Sequence, residues 1–341
     1  GSFGKSIEKK SLEKNYFKEI RILSRDEKKQ DDMRKRFNSN KLKFFIGDVR
    51  DYSSIQNAFI DVDYVFHAAA LKQVPSCEFF PMEAIKTNIL GSNNVIDACV
   101  NHNVFSAIFL STDKACYPIN AMGMSKGLME KNVIARSRLM GKNGPIIACT
   151  RYGNVIASRG SVIPIFLKKI SENSALTVTN FEMTRFMMTL DDACNLVLFA
   201  ITNANQGDLF IQKSKSSSIR DLTKSLERLT GNKNLDIKII GTRHGEKLYE
   251  SLATSEEISN SIDMEKYFKI SSDNRDLNYD SFFIKGNKKT MEITYNSHNV
   301  ERLLPEDLDK LLMTDEYISR KVNEIRIISH IHNKYFRNAR V

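Results

Sequence analysis

The chain contains no apolar run approaching the roughly 18 residues that a membrane-spanning helix needs, so the sequence predicts no transmembrane segment. Its opening, GSFGKSIEKKSLEK, has no apolar stretch of the kind that marks a leader peptide. No group of cysteines and histidines has metal-ligand spacing, and a metal site is not expected. Cysteine is sparse. Cys77, Cys99, Cys116, Cys149 and Cys194 are odd in number, scattered, and mostly set in apolar segments, which predicts reduced thiols of a cytoplasmic protein rather than a disulfide framework. Internal repeats and low-complexity tracts are also absent.

What remains is an ordinary globular composition. The 341 residues are 41% hydrophobic and 27% charged, enough for a large core and two lobes. The formal net charge is +10, but the lysines and arginines are spread along the chain and no nucleic-acid recognition motif accompanies them. The sequence therefore predicts no nucleic-acid or membrane partner. It predicts a basic field that attracts a small, phosphate-rich substrate.

Nearly continuous apolar runs alternate with helical patterns over the first half. Strands are expected at 19–24, 41–48, 62–70, 106–112 and 145–153, and helices at 28–37, 52–60, 80–102 and 121–140. This alternation predicts an α/β fold, a doubly wound parallel sheet of Rossmann type. Ligands of such sheets bind beyond the carboxyl ends of the strands. LSRDE, GDVRD, HAAALK, STDKA and RYGNV should therefore face one crevice. A helix is expected over 5–15, directly after Gly1, Phe3 and Gly4. These residues read as the end of a glycine-rich phosphate loop, or else Gly1 and Ser2 are foreign to the natural chain. Both readings leave the sheet without its usual first strand. The second half is less regular, with strands expected at 175–180, 207–212 and 235–241 and helices at 190–203 and 218–230. Residues 254–300 read as polar and turn-rich. The spacing of Ile318, Val322, Ile325 and Ile328 predicts an amphipathic helix that docks on the body or on a partner.

Several residues carry candidate chemistry. Ser24 and Arg25 follow the second candidate strand, a position that meets the adenosine ribose in this fold, and they suit the 2′-phosphate of NADP. The plain alternative is a charged turn. Asp48 sits where an adenine amino group is bound, and Ala68, Ala69 and Ala70 permit close backbone approach. Thr112, Asp113 and Lys114 end a strand at the ligand edge. Adjacent strand residues point to opposite faces, so Asp113 and Lys114 share a site only if the chain bends. Sharing one, they supply an acid and a base; otherwise they form a surface ion pair. Lys126 lies one helical turn past Met122 on the same face. The thioether of Met122 takes no proton.

Four stretches, FSAIFLSTDKACYPINAMGMSK, HAAALKQVPSCEFFPMEAIKTNILGSNNV, RYGNVIASRGSVIP and GTRHGEK, together resemble the nucleoside-diphosphate-sugar 4,6-dehydratases of the extended short-chain dehydrogenase/reductase superfamily. The closest resemblance is to the UDP-N-acetylglucosamine 4,6-dehydratases (5-epimerising) of capsule and O-antigen type, over about residues 1–305. The superfamily carries Tyr-x-x-x-Lys where this chain has Met122-x-x-x-Lys126, and some members of the resembled family share that Met. The chain departs from the family at its start, retaining only Gly1 and Gly4 of the glycine-rich turn.

The resemblance implies an NADP-binding domain over 1–165, joined by 184–215. It implies a nucleotide-sugar lobe over 166–183 and 216–305, leaving 306–341 as a helical tail. It implies catalytic roles for Thr112, Asp113, Lys114, Met122 and Lys126. Cofactor contacts would come from Gly1, Phe3, Gly4, Ser24, Arg25, Asp48, Val49, Ala68, Ala69, Ala70, Lys72, Asn88, Lys126, Tyr152 and Asn154. Substrate contacts would come from Lys72, Asn154, Arg159, Ser161, Val162, Arg185, Arg243 and Glu246. The implied reaction removes hydride from C4 of UDP-N-acetylglucosamine to NADP, eliminates water across C5 and C6, and returns hydride to C6, with epimerisation at C5. Related enzymes form homo-oligomers, often hexamers. Two other functions fit parts of the sequence: a UDP-sugar 4-epimerase, and a non-catalytic nucleotide-binding protein.

Overall fold

The computed structural model describes residues 1–141, 143–158, 160–232, 235–272 and 293–338. Arg159, expected at the substrate, lies outside the described residues.

The first half runs α1 (Ser2–Glu13), β1 (Ile20–Ser24), α2 (Glu27–Phe37), β2 (Leu42–Ile46), α3 (Tyr52–Ile55), β3 (Tyr64–His67), α4 (Val74–Phe79) and α5 (Pro81–Ala84). A π-helical turn (Ile85–Leu90) leads into α6 (Gly91–Asn101), β4 (Ser106–Leu110), α7 (Ala121–Arg138) and β5 (Ile146–Arg151). The second half continues with α8 (Val162–Ser171), β6 (Leu176–Val178), β7 (Thr184–Phe186), α9 (Leu190–Asn203), β8 (Leu209–Gln212), β9 (Ser216–Ser218) and α10 (Ile219–Thr230). It then adds β10 (Ile237–Ile239), β11 (Ser251–Ala253), α11 (Ser255–Ser259), β12 (Ser261–Met264), β13 (Tyr267–Ile270) and β14 (Tyr295–Asn296). Two last helices, Pro305–Met313 and Glu316–Asn338, follow.

The largest sheet has the order β12-β13-β8-β5-β4-β3. Its β3, β4, β5 and β8 are parallel, while β13 and β12 run antiparallel at one edge. All five residues of β4 are buried, as expected for a central strand covered on both faces. One face packs Val95, Ile96, Ala107, Phe109, Met129 and Val133 from α6, β4 and α7. The other packs Ile108, Leu110, Leu196, Val197 and Phe210 from β4, α9 and β8. The expected doubly wound parallel sheet is therefore present. β1 and β2 form a separate parallel pair, in register from Ile20↔Leu42 to Ser24↔Ile46. Among the described residues this pair is not hydrogen-bonded to β3.

Helix boundaries follow their caps. Thr189 and Asp192 form a reciprocal capping box at the start of α9, with the Asp192 amide donating to Thr189 Oγ1 at 3.0 Å and the Thr189 amide to Asp192 Oδ2 at 2.8 Å. α10 ends at Gly231, whose φ of 72° is the left-handed conformation that glycine adopts freely.

A second core gathers Phe166 and Leu167 of α8, Leu176 and Val178 of β6, and Leu222 and Leu226 of α10. The last two helices belong to it through Leu308, Leu312, Ile318, Val322 and Ile325. The amphipathic face expected at 318–328 thus docks on the body rather than standing apart, except that Ile328 is 60% exposed. Among the described residues no helix is long and apolar enough to cross a membrane. The segment expected to be polar and turn-rich contains the β12–β13 hairpin, paired from Ser261↔Ile270 to Met264↔Tyr267.

Leu312 is fully buried in the second core, and truncation there leaves a cavity. Leu312→Ala is expected to cost roughly 2–5 kcal/mol, whereas Ile328→Ala should stay within about 0.5 kcal/mol of wild type. Urea unfolding of both variants checks the contrast.

Candidate functional site

The carboxyl ends of β1 to β5 open into one cavity of about 1720 Å³. That exceeds the roughly 300–1,000 Å³ typical of a single-ligand pocket. Its walls include Ser24 and Arg25 after β1, Asp48 and Val49 after β2, Ala68, Ala69 and Ala70 after β3, Thr112, Asp113 and Lys114 after β4, and Tyr152 and Asn154 after β5. All five segments expected at one crevice are there. Gly1, Phe3, Gly4, Lys72, Met122 and Lys126 line it too, and so do Ser161, Val162, Arg185, Arg243 and Glu246. The cavity continues between the β1 and β3 edges.

At the β1 end, Asp26 caps α2, with its Oδ1 accepting from the Lys29 amide at 2.9 Å. Its carboxylate is thereby committed to the helix, and Arg25, 55% exposed, extends toward Asp48 at 3.3 Å. Arg50 also grips Asp48, with Nη2 at 2.7 Å from Oδ2 and Nε at 3.1 Å from Oδ1. Burial works to raise the Asp48 pKa, but the Arg50 hydrogen bonds and the two guanidinium charges hold it below the usual carboxylate range. Asp48 therefore meets the cavity as half of an ion pair, not as a free acceptor.

Asn88 does not line the cavity. Its Oδ1 accepts from the Leu71 amide at 2.8 Å, and its Nδ2 donates to the Leu71 carbonyl and to Ser125 Oγ, both at 2.9 Å. It acts on the site from behind, clamping the segment after β3 to α7. The expectation of a direct cofactor contact is corrected accordingly: both ends of the amide are already occupied.

The segment after β4 forms the centre of the site. The Ser111 amide donates to the Thr150 carbonyl at 2.7 Å and the Asp113 amide to the Tyr152 carbonyl at 3.1 Å, so β5 fixes the chain as it leaves the sheet. Residues Asp113–Ala115 then turn as a short 3₁₀ helix. This turn supplies the bend that lets neighbours share a site. Lys114 Nζ donates to Asp113 Oδ1 at 3.1 Å, and Thr112 Oγ1 donates to the same oxygen at 2.8 Å. Asp113 Oδ2 is buried with no partner among the described residues.

A third charged group was not singled out in the sequence: Glu250, just before β11, places Oε1 at 3.3 Å from Lys114 Nζ. Its only signal there is an acidic residue beside the apolar residues of β11. Burial works to lower the Lys114 pKa, but Asp113 and Glu250 outweigh it and the opposing Arg185 charge, leaving the amine above its ordinary value.

α7 is seated on this turn. A Cβ on Gly123 would lie 2.2 Å from the Lys114 carbonyl oxygen, so only glycine permits the approach. Asn120 caps α7, accepting from the Gly123 amide at 2.9 Å while its Nδ2 donates to the Gly245 carbonyl at 3.0 Å. Met122 is buried against Cys77 and Ala84 and contributes packing. Among the described residues no phenol takes its place: Tyr117 is half exposed and lines a different pocket with Ile119 and Lys247. Burial pushes the Tyr152 hydroxyl upward, away from physiological titration. Lys126 donates to the Leu110 carbonyl at 2.6 Å and lies 3.3 Å from Met129 Sδ. Burial lowers its pKa to about 8, against the opposing Cys149 and Glu130.

On β7, Arg185 Nη1 donates to the Thr184 carbonyl at 2.8 Å and Nη2 to the Lys247 carbonyl at 2.9 Å. The guanidinium is thus aimed by backbone. The Arg243 amide approaches Glu246 Oε2 at 3.3 Å in a turn closed by Gly245 at φ 74°. Asn154 Oδ1 and Ser161 Oγ are buried without partners among the described residues, which leaves the cavity wall short of donors and acceptors that a polar ligand would supply.

Known proteins resemble this arrangement over nearly the whole chain. Residues 1–272 match the polysaccharide biosynthesis protein family, and residues 273–319 match the polysaccharide biosynthesis protein C-terminal family. Proteins of Rickettsia felis and Rickettsia prowazekii named UDP-glucose 4-epimerase are 53% identical over 326 residues, spanning 94% of this chain and 95% of theirs. Among solved structures, Pen from Bacillus thuringiensis aligns with a TM-score of 0.84 at 34% identity, over 93% of this chain and 95% of that one. The dTDP-glucose 4,6-dehydratase DesIV of Streptomyces venezuelae shares the fold, with a TM-score of 0.65 at 19% identity over 73% of this chain and 84% of that one.

Lys126 yields a pH-dependent expectation. A lysine whose folded pKa is depressed costs stability while it must carry charge in the core, and the cost disappears as pH rises through the folded and then the unfolded pKa. From about 8 against 10.5, the cost below pH 8 is on the order of 3 kcal/mol. Lys126→Met is therefore expected to raise the melting temperature of the ligand-free protein at pH 6 and to lose that advantage toward pH 10. Thermal unfolding across this range checks the sign.

Proposed function

This chain belongs to the polysaccharide biosynthesis protein family of extended short-chain dehydrogenase/reductases, and we propose that it is an NADP-dependent UDP-N-acetylglucosamine 4,6-dehydratase that inverts C5, serving capsule or O-antigen polysaccharide synthesis. The observation that carries this reading is the Asp113–Lys114 contact of 3.1 Å on a turn beside Met122, where the superfamily holds a tyrosine. An acid and a base on one turn suit elimination across C5 and C6, which oxidation at C4 alone does not require.

A dinucleotide fits the residues present. Ala68, Ala69 and Ala70 keep one wall close to backbone, and Asn154 Oδ1 and Ser161 Oγ await polar partners. The Asp26 carboxylate is occupied as a helix cap, which leaves Ser24 and Arg25 to meet the adenosine ribose and favours a 2′-phosphate. When bound, the nicotinamide supplies the hydride acceptor and later the hydride donor. Arg185 and Arg243 suit the substrate diphosphate by charge-assisted hydrogen bonds, and Glu246 suits ribose hydroxyls.

The chain's own groups then move protons. Met122 takes none, so we assign the O4 proton to Lys126, whose amine is brought to about 8. A ketone at C4 acidifies the C5 hydrogen. Lys114, as the neutral amine, removes it, and Asp113, as the carboxylic acid, protonates O6 so that it leaves as water. This reactive form holds the same number of protons as the resting ion pair. Thr112 donates to Asp113 Oδ1 and leaves Oδ2 for the transferred proton. A proton reaching C5 from the opposite face gives the inverted 4-keto-6-deoxy sugar. Exposed Met124 and Leu128 on α7 supply an apolar face for a homo-oligomer.

A second reading, a UDP-sugar 4-epimerase, is favoured by the name of the 53% identical relatives. It retains O6 and has no step for Asp113. Mass spectrometry of UDP-N-acetylglucosamine incubated with the protein and NADP in heavy water separates the two. Loss of one water with deuterium gained at C5 is expected, and Asp113→Asn should slow it by about 10²–10⁴-fold. Product of unchanged mass formed equally by Asp113→Asn would establish the epimerase instead.

A further inference from the structure

Lys114 is flanked by two carboxylates, and the dehydration steps above use only one of them. Glu250 has Oε1 at 3.3 Å from Lys114 Nζ, and its side chain is 4% exposed. It does not line the cavity, so it reaches the substrate only through Lys114. Its backbone is fixed: the Glu250 amide donates to Ser297 Oγ at 3.0 Å, and the Ser297 amide returns a bond to the Glu250 carbonyl at 2.8 Å. Ser297 Oγ in turn donates to the Thr184 carbonyl at 3.0 Å, which ties the arrangement to β7. A carboxylate held this firmly against one ammonium, with Oε2 lacking any partner among the described residues, has no evident task in packing.

We propose that Glu250 is a positioning residue of the dehydration step, which holds the Lys114 side chain beside Asp113 and sets how tightly the Lys114 amine binds its proton. This rests on the dehydratase reading of the same site. The charged groups facing Lys114 are Asp113 on its own turn, Glu250 ahead of β11, and Arg185 on β7, the last opposing the other two. Removing the Glu250 charge leaves Asp113 against Arg185, so the amine releases its proton at lower pH. An opposite charge at this distance is worth about one to two pH units.

Two readouts test the proposal. The first needs neither cofactor nor turnover: trace acetylation with acetic anhydride across pH, with the Lys114 peptide quantified by mass spectrometry. The labelling midpoint is expected to fall by about one to two pH units in Glu250→Gln and to lie between the two in Glu250→Asp, whose charge sits one carbon further back. The second is the pH profile of water release from UDP-N-acetylglucosamine, whose Lys114-dependent limb should move to lower pH by the same amount. A Glu250→Gln protein with an unchanged labelling midpoint and a uniformly reduced rate overturns the proposal, since packing alone would then explain the loss. Should Glu250→Gln fail to fold, Glu250→Asp decides: a midpoint equal to wild type overturns the proposal. A shifted midpoint in a protein that releases no water supports the Glu250–Lys114 coupling while sinking the dehydratase reading.

Discussion

Lys114 carries its charge where water screens it poorly, and the site is arranged around that fact. At 3.1 and 3.3 Å, each carboxylate attracts the ammonium by roughly 5 kcal/mol at an effective dielectric of about 20. Taking the three ions out of water costs several kcal/mol for each, so the cluster is no source of stability by itself. It persists because the chain holds its members in place. The bonds from Ser111 and Asp113 to β5 fix one carboxylate, and Ser297 with Thr184 fixes the other. The strand ends and the segment before β11 must therefore meet at a definite distance for the amine to keep its partners.

A second buried cluster maintains that meeting. Arg151, at the end of β5, is gripped by Glu130 of α7 at 2.5 Å and by Glu257 of α11 at 2.8 Å, and it donates to the Leu252 carbonyl of β11 at 2.8 Å. One guanidinium thus joins the strand before the cavity, the helix bearing Met122 and Lys126, and the segment that follows Glu250. Burial opposes the Arg151 charge, but the two carboxylates hold its pKa well above the ordinary value. The close approach of Gly123 to the Lys114 carbonyl completes the frame from the α7 side.

The parts of this arrangement legible in the sequence are those written in local pattern. The apolar runs of β3, β4 and β5 stand out because both faces of the sheet are covered, and α9 spans the residues 190–203 expected for it. The crevice segments follow from the rule that parallel strands place ligands at their carboxyl ends. The β12–β13 hairpin was obscured because its strands are only four residues each, with Asp263 in β12 and Glu265 and Lys266 in the turn, and pairing with β8 rather than composition makes it a strand pair. Glu250 was obscured for a related reason: it meets Lys114 across more than a hundred residues of chain, and no spacing rule reports such a contact. Asn88 was legible as important but not as to why, since its two bonds to Leu71 exist only once the chain after β3 has folded back on the π-helical turn.

The replacement of a tyrosine by Met122 fits this frame. Met122 lines the cavity while packing against Cys77 and Ala84, with Leu71 and Val74 beside them. Its thioether fills this space without bringing a hydroxyl, and its flexibility suits an irregular gap. One helical turn on, Lys126 donates to the Leu110 carbonyl, in the burial that brings its amine to about 8. The same substitution that removes a titrating phenol thus accompanies a titrating amine one helical turn away. On the proposed dehydratase reading, proton traffic at O4 and at C5 falls to two lysines in different electrostatic settings. Lys126 is lowered by burial with little nearby charge to offset it, and Lys114 is raised by two carboxylates that outweigh its burial. In the proposed steps Lys126 accepts a proton at an amine that burial has brought to about 8, whereas Lys114 accepts one only after passing its own to Asp113, so the two amines meet different steps in different ways.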